Sequence, residues 1–235
     1  MIECKDVTKI YGKGHTKVLA LKSINLVVNK AEFVGIKGPS GSGKTTLLNI
    51  IASVDMPSAG LVFINGFSIS DYDDKEISSY RRKSVGVVFQ FFNLIPNLSV
   101  LENIELPMAL DGMDSKQRKE IARNLLRTTK MGHLSKRYPE ELSGGEKQRV
   151  AIMVALANSP SIVVADEPTG ELDRENADVI MEMLQTLNRD LGTTILLATH
   201  DEYILNQIDR VITLIDGEIV KDERNSQSSL NDGGK

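Results

Sequence analysis

Phe33-Val34-Gly35-Ile36-Lys37-Gly38-Pro39-Ser40-Gly41-Ser42-Gly43-Lys44-Thr45-Thr46-Leu47-Leu48-Asn49-Ile50-Ile51 decides the architecture of this chain. Residues 33–37 read as a buried strand and residues 46–51 as a helix, with a glycine-rich segment between them. That segment fits the pattern Gly, four residues, Gly-Lys-Ser/Thr, in which glycines permit a tight backbone cradle around phosphate. Gly38, Pro39, Ser40, Gly41, Ser42 and Gly43 would offer backbone N–H groups to phosphate oxygens, joined by the helix start at Thr46. Lys44 would reach the β/γ-phosphates, and the Thr45 hydroxyl is suited to Mg²⁺.

Outward from this segment, short apolar runs recur at Val85 to Phe89, Ile162 to Ala165, Thr194 to Ala198 and Val211 to Ile215. Helical or mixed stretches separate them, which argues for an α/β fold with a largely parallel sheet wrapped by helices. Asp216-Gly217 is a hairpin signal, so the C-terminal edge should turn antiparallel. Between Phe91 and Pro139 no β-branched run appears, and residues 114–130 carry helical apolar spacing through Ile121, Leu125 and Leu126: a helical insertion. Asp173 is placed to cap a helix that runs through Leu191 and stops at Gly192. From Lys221 onward the polar sequence lacks apolar periodicity and reads as a frayed tail.

Composition narrows the functional classes. The chain has 235 residues, 41% hydrophobic and 26% charged, with a net charge of -4. This is the profile of a globular domain, and no stretch reaches the roughly 20 apolar residues needed to cross a bilayer. Any membrane role therefore calls for a separate partner. The charge offers no general attraction to nucleic acid, which is not expected as a ligand. One cysteine, Cys4, excludes an internal disulfide, and the charged N-terminus is unlike a secretory signal, so a cytoplasmic location is expected.

Two further segments carry chemistry. Ile162-Val163-Val164-Ala165-Asp166-Glu167 delivers two carboxylates at a strand's C-terminal tip, the end at which open α/β sheets place ligands. Asp166 is suited to hold Mg²⁺ and Glu167 to polarise an attacking water as general base. Leu142-Ser143-Gly144-Gly145-Glu146 contains a capping box, Ser143 with Glu146 three residues on, ahead of the helical run Val150 to Leu156. Ser143 then sits at a positive helix end, and Gly144 and Gly145 let that end approach an anion.

Together the phosphate loop, Leu142 to Glu146 and Ile162 to Glu167 resemble the ATP-binding cassette (ABC) ATPase family, in order and spacing, over roughly Ile2 to Val220. The resemblance implies a phosphate-loop core with an N-terminal antiparallel β region and a helical insertion. It implies that the anion facing Ser143, Gly144, Gly145 and Glu146 is the γ-phosphate of an ATP held by a second copy. It gives Gln90 contacts to Mg²⁺ and the attacking water, His200 a contact to the γ-phosphate, and Tyr11 a stack on adenine. Asp173 matches an acid at the dimer interface, though a plain helix cap explains it equally well. Phe89, Phe91 and Phe92, beside Leu94, Ile95 and Leu98, read as core packing or as a groove for a transmembrane subunit.

The implied function is the ATP-binding and ATP-hydrolysing subunit of a transport complex: a homodimer that shares two MgATP and drives a transmembrane permease from the inner face of the cell membrane. Residues 70–82 and 89–107 are similar to the lipoprotein-releasing, macrolide-export and cell-division branch. The alternative is an ABC ATPase of DNA repair or translation without a membrane partner. Residues 1–222 form one domain in this division, with 1–90 and 158–222 as the core, 91–157 as the helical part and 223–235 as a polar tail. Four departures from the family pattern stand out: Glu146 for glutamine, Gly170-Glu171 for a small pair, Met153-Val154 for Ala-Arg, and Ala31 for a turn glycine. The last implies a different local turn.

Overall fold

The computed structural model describes residues 1–225. The chain opens with β1 (Ile2–Tyr11) and β2 (Val18–Val28), then runs through β3 (Phe33–Lys37) into α1 (Lys44–Ile51). There follow β4 (Ala59–Ile64), β5 (Phe67–Ser68), α2 (Asp74–Ser84) and β6 (Val85–Val88). The helical insertion holds α3 (Val100–Leu110), α4 (Ser115–Thr128) and α5 (Gly144–Leu156). The chain returns through β7 (Ile162–Asp166), α6 (Arg174–Leu191), β8 (Thr194–Ala198), α7 (Glu202–Leu205), β9 (Arg210–Ile215) and β10 (Glu218–Arg224).

Two sheets result. One is antiparallel, in the order β2-β1-β4-β5; the other is ordered β10-β9-β3-β8-β7-β6 and is parallel except at the β9–β10 hairpin. The expected α/β class, N-terminal antiparallel region and antiparallel C-terminal edge are all present. β8 is buried at every position and β3 and β7 at all but the last, which is why their sequences run apolar without alternation.

α1 lies between the sheets, its Leu47, Leu48, Ile50 and Ile51 packed in one core with Ile2, Val7 and Val62 of the antiparallel sheet and Val34, Leu196 and Ile212 of the parallel one. The opposite face of the parallel sheet is covered by α6, which buries Ala177, Ile180, Met181 and Leu184 at helical spacing. The helical insertion has a separate core, including Val100, Ile104, Met108, Leu126, Val150 and Met153. Burial of each such side chain stabilises the fold by roughly 1.5–3 kcal/mol relative to exposure. Cys4 belongs to the first core, and burial pushes its thiol pKa up to about 12, as suits an inert filler.

Two expectations need correction. The chain does not fray from Lys221 or leave the fold at residue 223: β10 continues to Arg224, held by Lys221 opposite Thr213 and Arg224 opposite Arg210. Backbone pairing, which does not need apolar side chains, outweighs the polar composition; the rest of the expected tail, 226–235, lies outside the described residues. Ala31 makes its turn in the left-handed conformation at φ 58, where its N–H donates to Thr194 Oγ1 at 3.0 Å and its carbonyl accepts from Asn188 at 2.8 Å. Phe91 is not core: it is 72% exposed.

Candidate functional site

The parallel register assembles the site. Asp166 pairs with Ala198, and Ala165 with Leu197, so the chain leaves β7 and β8 at the same sheet edge. There the Glu167 N–H donates to the Ala198 carbonyl at 2.9 Å and the Thr199 N–H to the Ile36 carbonyl at 3.1 Å, next to the start of the phosphate loop. Asp166, Glu167, Thr199, His200 and Gly38 thus converge although they lie up to 162 positions apart in the sequence.

A cleft of about 770 Å³ opens at this edge. Pro39, Ser40, Gly41, Gly43, Lys44, Thr45 and Thr46 form its floor, with Gln90, Asp166, Glu167, Gly170 and His200 on one wall and Tyr11, Val18, Leu19 and Ala20 on the other. Glycine is compulsory at Gly43: φ is 105 and a Cβ would meet the Ala20 carbonyl at 2.5 Å. The Lys44 ammonium donates to the carbonyls of Gly38 at 2.8 Å and Pro39 at 3.0 Å, which leaves one of its three protons for a phosphate oxygen.

Beside it, the Thr45 hydroxyl donates to Asp166 Oδ2 at 2.7 Å. Burial, then the neighbouring Glu167 charge, raise the Asp166 pKa, against the Thr45 hydrogen bond and Lys44. A carboxylate so placed has reason to accept a cation. Among the described residues no three His, Cys, Asp or Glu side chains gather as a metal cage. A hydroxyl and a single carboxylate at the edge of a phosphate cradle are instead the donor set Mg²⁺ takes when phosphate oxygens and water complete its shell.

Glu167 is gripped at both oxygens. Thr199 Oγ1 donates to Oε2 at 3.0 Å, and His200 Nδ1 stands 2.8 Å from Oε1, within hydrogen-bond distance. The Glu167 backbone is also left-handed, at φ 47, a costly conformation that aims the carboxylate off the strand tip. Gln90 reaches the same wall, where its amide donates to Glu171 at 3.3 Å. Tyr11 is partly exposed on the far wall; its hydroxyl donates to Asp55 at 2.7 Å and the Lys9 ammonium lies 4.9 Å from its ring centroid. Burial, followed by the Asp55 hydrogen bond, raises its pKa.

Sequence patterns do not single out Thr199 or the β2 residues Val18, Leu19 and Ala20 as lining the cleft. A threonine next to the singled-out His200, at the strand end, is the only signal for the first. The β2 residues enter through tertiary packing of the antiparallel sheet.

Ser143, Gly144, Gly145, Glu146 and Asp173 do not line this cleft. They sit together at the N-terminal ends of α5 and α6. The capping box is formed: Glu146 Oε2 accepts from the Ser143 N–H at 2.8 Å and from its hydroxyl at 2.9 Å, and Ser143 Oγ accepts from the Glu146 N–H at 3.4 Å. The Ser143 N–H bond, and then its hydroxyl, lower the Glu146 pKa despite some burial, so the departure from glutamine serves the cap as a carboxylate. Asp173 caps α6 by accepting from the Asn176 N–H at 2.9 Å.

The phosphate loop, the paired acids at the β7 tip and the glycine-bearing helix start coincide with a family match: residues 21–170 match the ABC transporter model. The chain belongs to the ABC transporter family. Its ATP-binding proteins include one from Methanocaldococcus jannaschii, 48% identical over 94% of this chain and 98% of that protein. The lipoprotein-releasing system ATP-binding protein LolD of Bacteroides thetaiotaomicron is 42% identical over 94% of this chain and all of its own length (100%). The macrolide export ATP-binding/permease protein MacB of Hyphomonas neptunium is 40% identical over 97% of this chain but only 35% of its own.

A dimeric, post-hydrolysis structure of the M. jannaschii cassette MJ0796 bound to ADP and Pi superposes with a TM-score of 0.89 at 43% identity, covering 95% of this chain and 98% of that one. This ABC protein is an ATP-binding cassette with ATPase activity, within the named branch of the family. No helix among the described residues is long and apolar enough to cross a membrane.

Proposed function

We propose that two copies of this ABC ATPase close head to tail around two MgATP and drive a transmembrane permease, in export or in lipoprotein- or macrolide-type transport. In each site Tyr11 stacks on adenine and the loop from Gly38 to Thr46 holds the phosphates. Thr45, Asp166 and Gln90 face Mg²⁺, which supplies charge neutralisation at the β- and γ-phosphates. Glu167, steadied by Thr199 and His200, orients and deprotonates the attacking water.

The observation that carries this reading is the separation of Ser143 to Glu146 and Asp173 from the cleft. They form a positive helix end and an interface acid that this chain does not offer to its own nucleotide, and a partner's γ-phosphate supplies the missing anion. The LolD and MacB likenesses support the transport branch, and with it a location on the inner face of the cell membrane. Exposed Phe89, Phe91 and Ile95, next to Gln90, form the permease-facing patch of this reading. The test is Glu167→Gln: the variant should bind ATP, hydrolyse it about 10²–10⁴-fold more slowly and accumulate as an ATP-dependent dimer. Robust turnover sinks the general base, and a monomer at saturating MgATP sinks the shared site.

A further inference from the structure

α5 and α6 begin side by side, and one side chain stands between them. Asn176, in the first turn of α6, donates from Nδ2 to both Asp173 oxygens at 3.0 Å. Its Oδ1 accepts from Arg149 Nη1 of α5 at 3.0 Å. The amide orientation is therefore set: donor toward the carboxylate, acceptor toward the guanidinium. Gly145 closes the third side. A Cβ there would lie 2.2 Å from Asn176 Oδ1, 2.5 Å from Cγ and 3.2 Å from Cβ, too close for a side chain already tied at both ends. Gly144 differs, since a Cβ on it would meet only Leu172 Cδ2 at 3.7 Å. Gly145 thus lacks a side chain because Asn176 needs that space, a requirement distinct from admitting an anion.

We propose that Asn176 is a positioning residue for the trans half of the ATP site, locking Ser143 to Gly145 and Asp173 into one rigid unit that a protomer presents to its partner. The proposal rests on the shared-site dimer. Without the amide, the α5 start and Asp173 lose their common partner, and each must be ordered at the moment of dimer closure. The cis cleft, whose walls come from other elements, keeps its geometry.

The test uses Glu167→Gln protein to hold the closed dimer, with and without Asn176→Ala. The dimer dissociation constant at saturating MgATP should rise about tenfold or more in the double variant, while ATP affinity of the dilute monomer stays unchanged. Equal dimerisation overturns the proposal, and so does a parallel fall in monomer ATP affinity, which would mark a general structural role. A Glu167→Gln chain that does not dimerise at all removes the reading underneath, and the proposal with it.

A second measurement addresses the latch without dimerisation. Gly145→Ala should lower the melting temperature clearly in wild type and much less in Asn176→Ala, where the clashing Oδ1 and Cγ are gone. Equal losses in the two backgrounds overturn the assigned contact.

Discussion

The two halves of the ATP machinery differ in how their polar groups are satisfied. In the cis cleft, functional side chains hold one another: Thr45 with Asp166, and Thr199 and His200 with Glu167. On the α5–α6 face, the functional groups are spent on capping their own helices, Ser143 with Glu146 and Asp173 with Asn176. In the function proposed above, the first is a preorganised reaction site and the second a docking face whose order is local and whose chemistry arrives with a partner. Preorganisation inside one chain and complementarity between two chains are therefore separable, and substitutions should split along that line.

The largest effect should come from Lys44→Ala, which removes the phosphate-facing cation and should cost monomer ATP affinity and hydrolysis together, each tenfold or more by the magnitude of charge-assisted hydrogen bonds. Nucleotide titration and steady-state turnover measure the two; unimpaired monomer binding would break the assignment of nucleotide affinity to the cis cleft. Thr199→Val comes next. With one Glu167 oxygen released, kcat should fall about tenfold with little change in KM, since the bond aligns the base and does not touch ATP. A rise in KM alone would move Thr199 from positioning to binding.

Glu146→Gln probes the docking face. Because Glu146 is held below its ordinary pKa, its stabilising contribution is present above the unfolded value of about 4.3 and is lost as pH falls through the folded value. The variant should therefore unfold about 0.3–1 kcal/mol more easily at pH 7, and thermal melts across pH should show the difference vanish once pH has fallen below the lowered folded value. With one negative charge fewer near the partner's phosphate, its ATP-dependent dimerisation should tighten, while monomer ATP affinity stays constant. The smallest effect belongs to Ala31→Gly, far from both halves. Relief of the left-handed conformation is worth about 1–2 kcal/mol and the added unfolded-state freedom offsets about 0.4–1, so the melting temperature should rise slightly with turnover unchanged.

Three capping boxes with Asp or Ser at the N-cap show how far local sequence reaches. Asp73 with Glu76, Ser99 with Glu102 and Ser143 with Glu146 all form as the residue types dictate, because the partners lie within one helical turn. Only the third has two glycines between its capping partners, a difference visible in the sequence. By contrast, the partner of Gly145 is Asn176, and no local pattern connects them. Thr199 is hidden for the same reason: its target carboxylate is 32 residues away and becomes a neighbour only through β7–β8 pairing.

The sequence alone determined the strand–cradle–helix order, the family, the phosphate loop, the paired carboxylates and the capped helix start. Each follows from short-range rules of backbone conformation, periodicity and charge at helix ends. Only the tertiary structure decided which side chains grip Glu167, which walls bound the cleft, that β10 outlasts its polar composition, and that Asn176 joins α5 to α6. Those contacts depend on strand register and helix packing, where atoms distant in the chain meet to within a few tenths of an ångström. Such distances are set by the whole core at once.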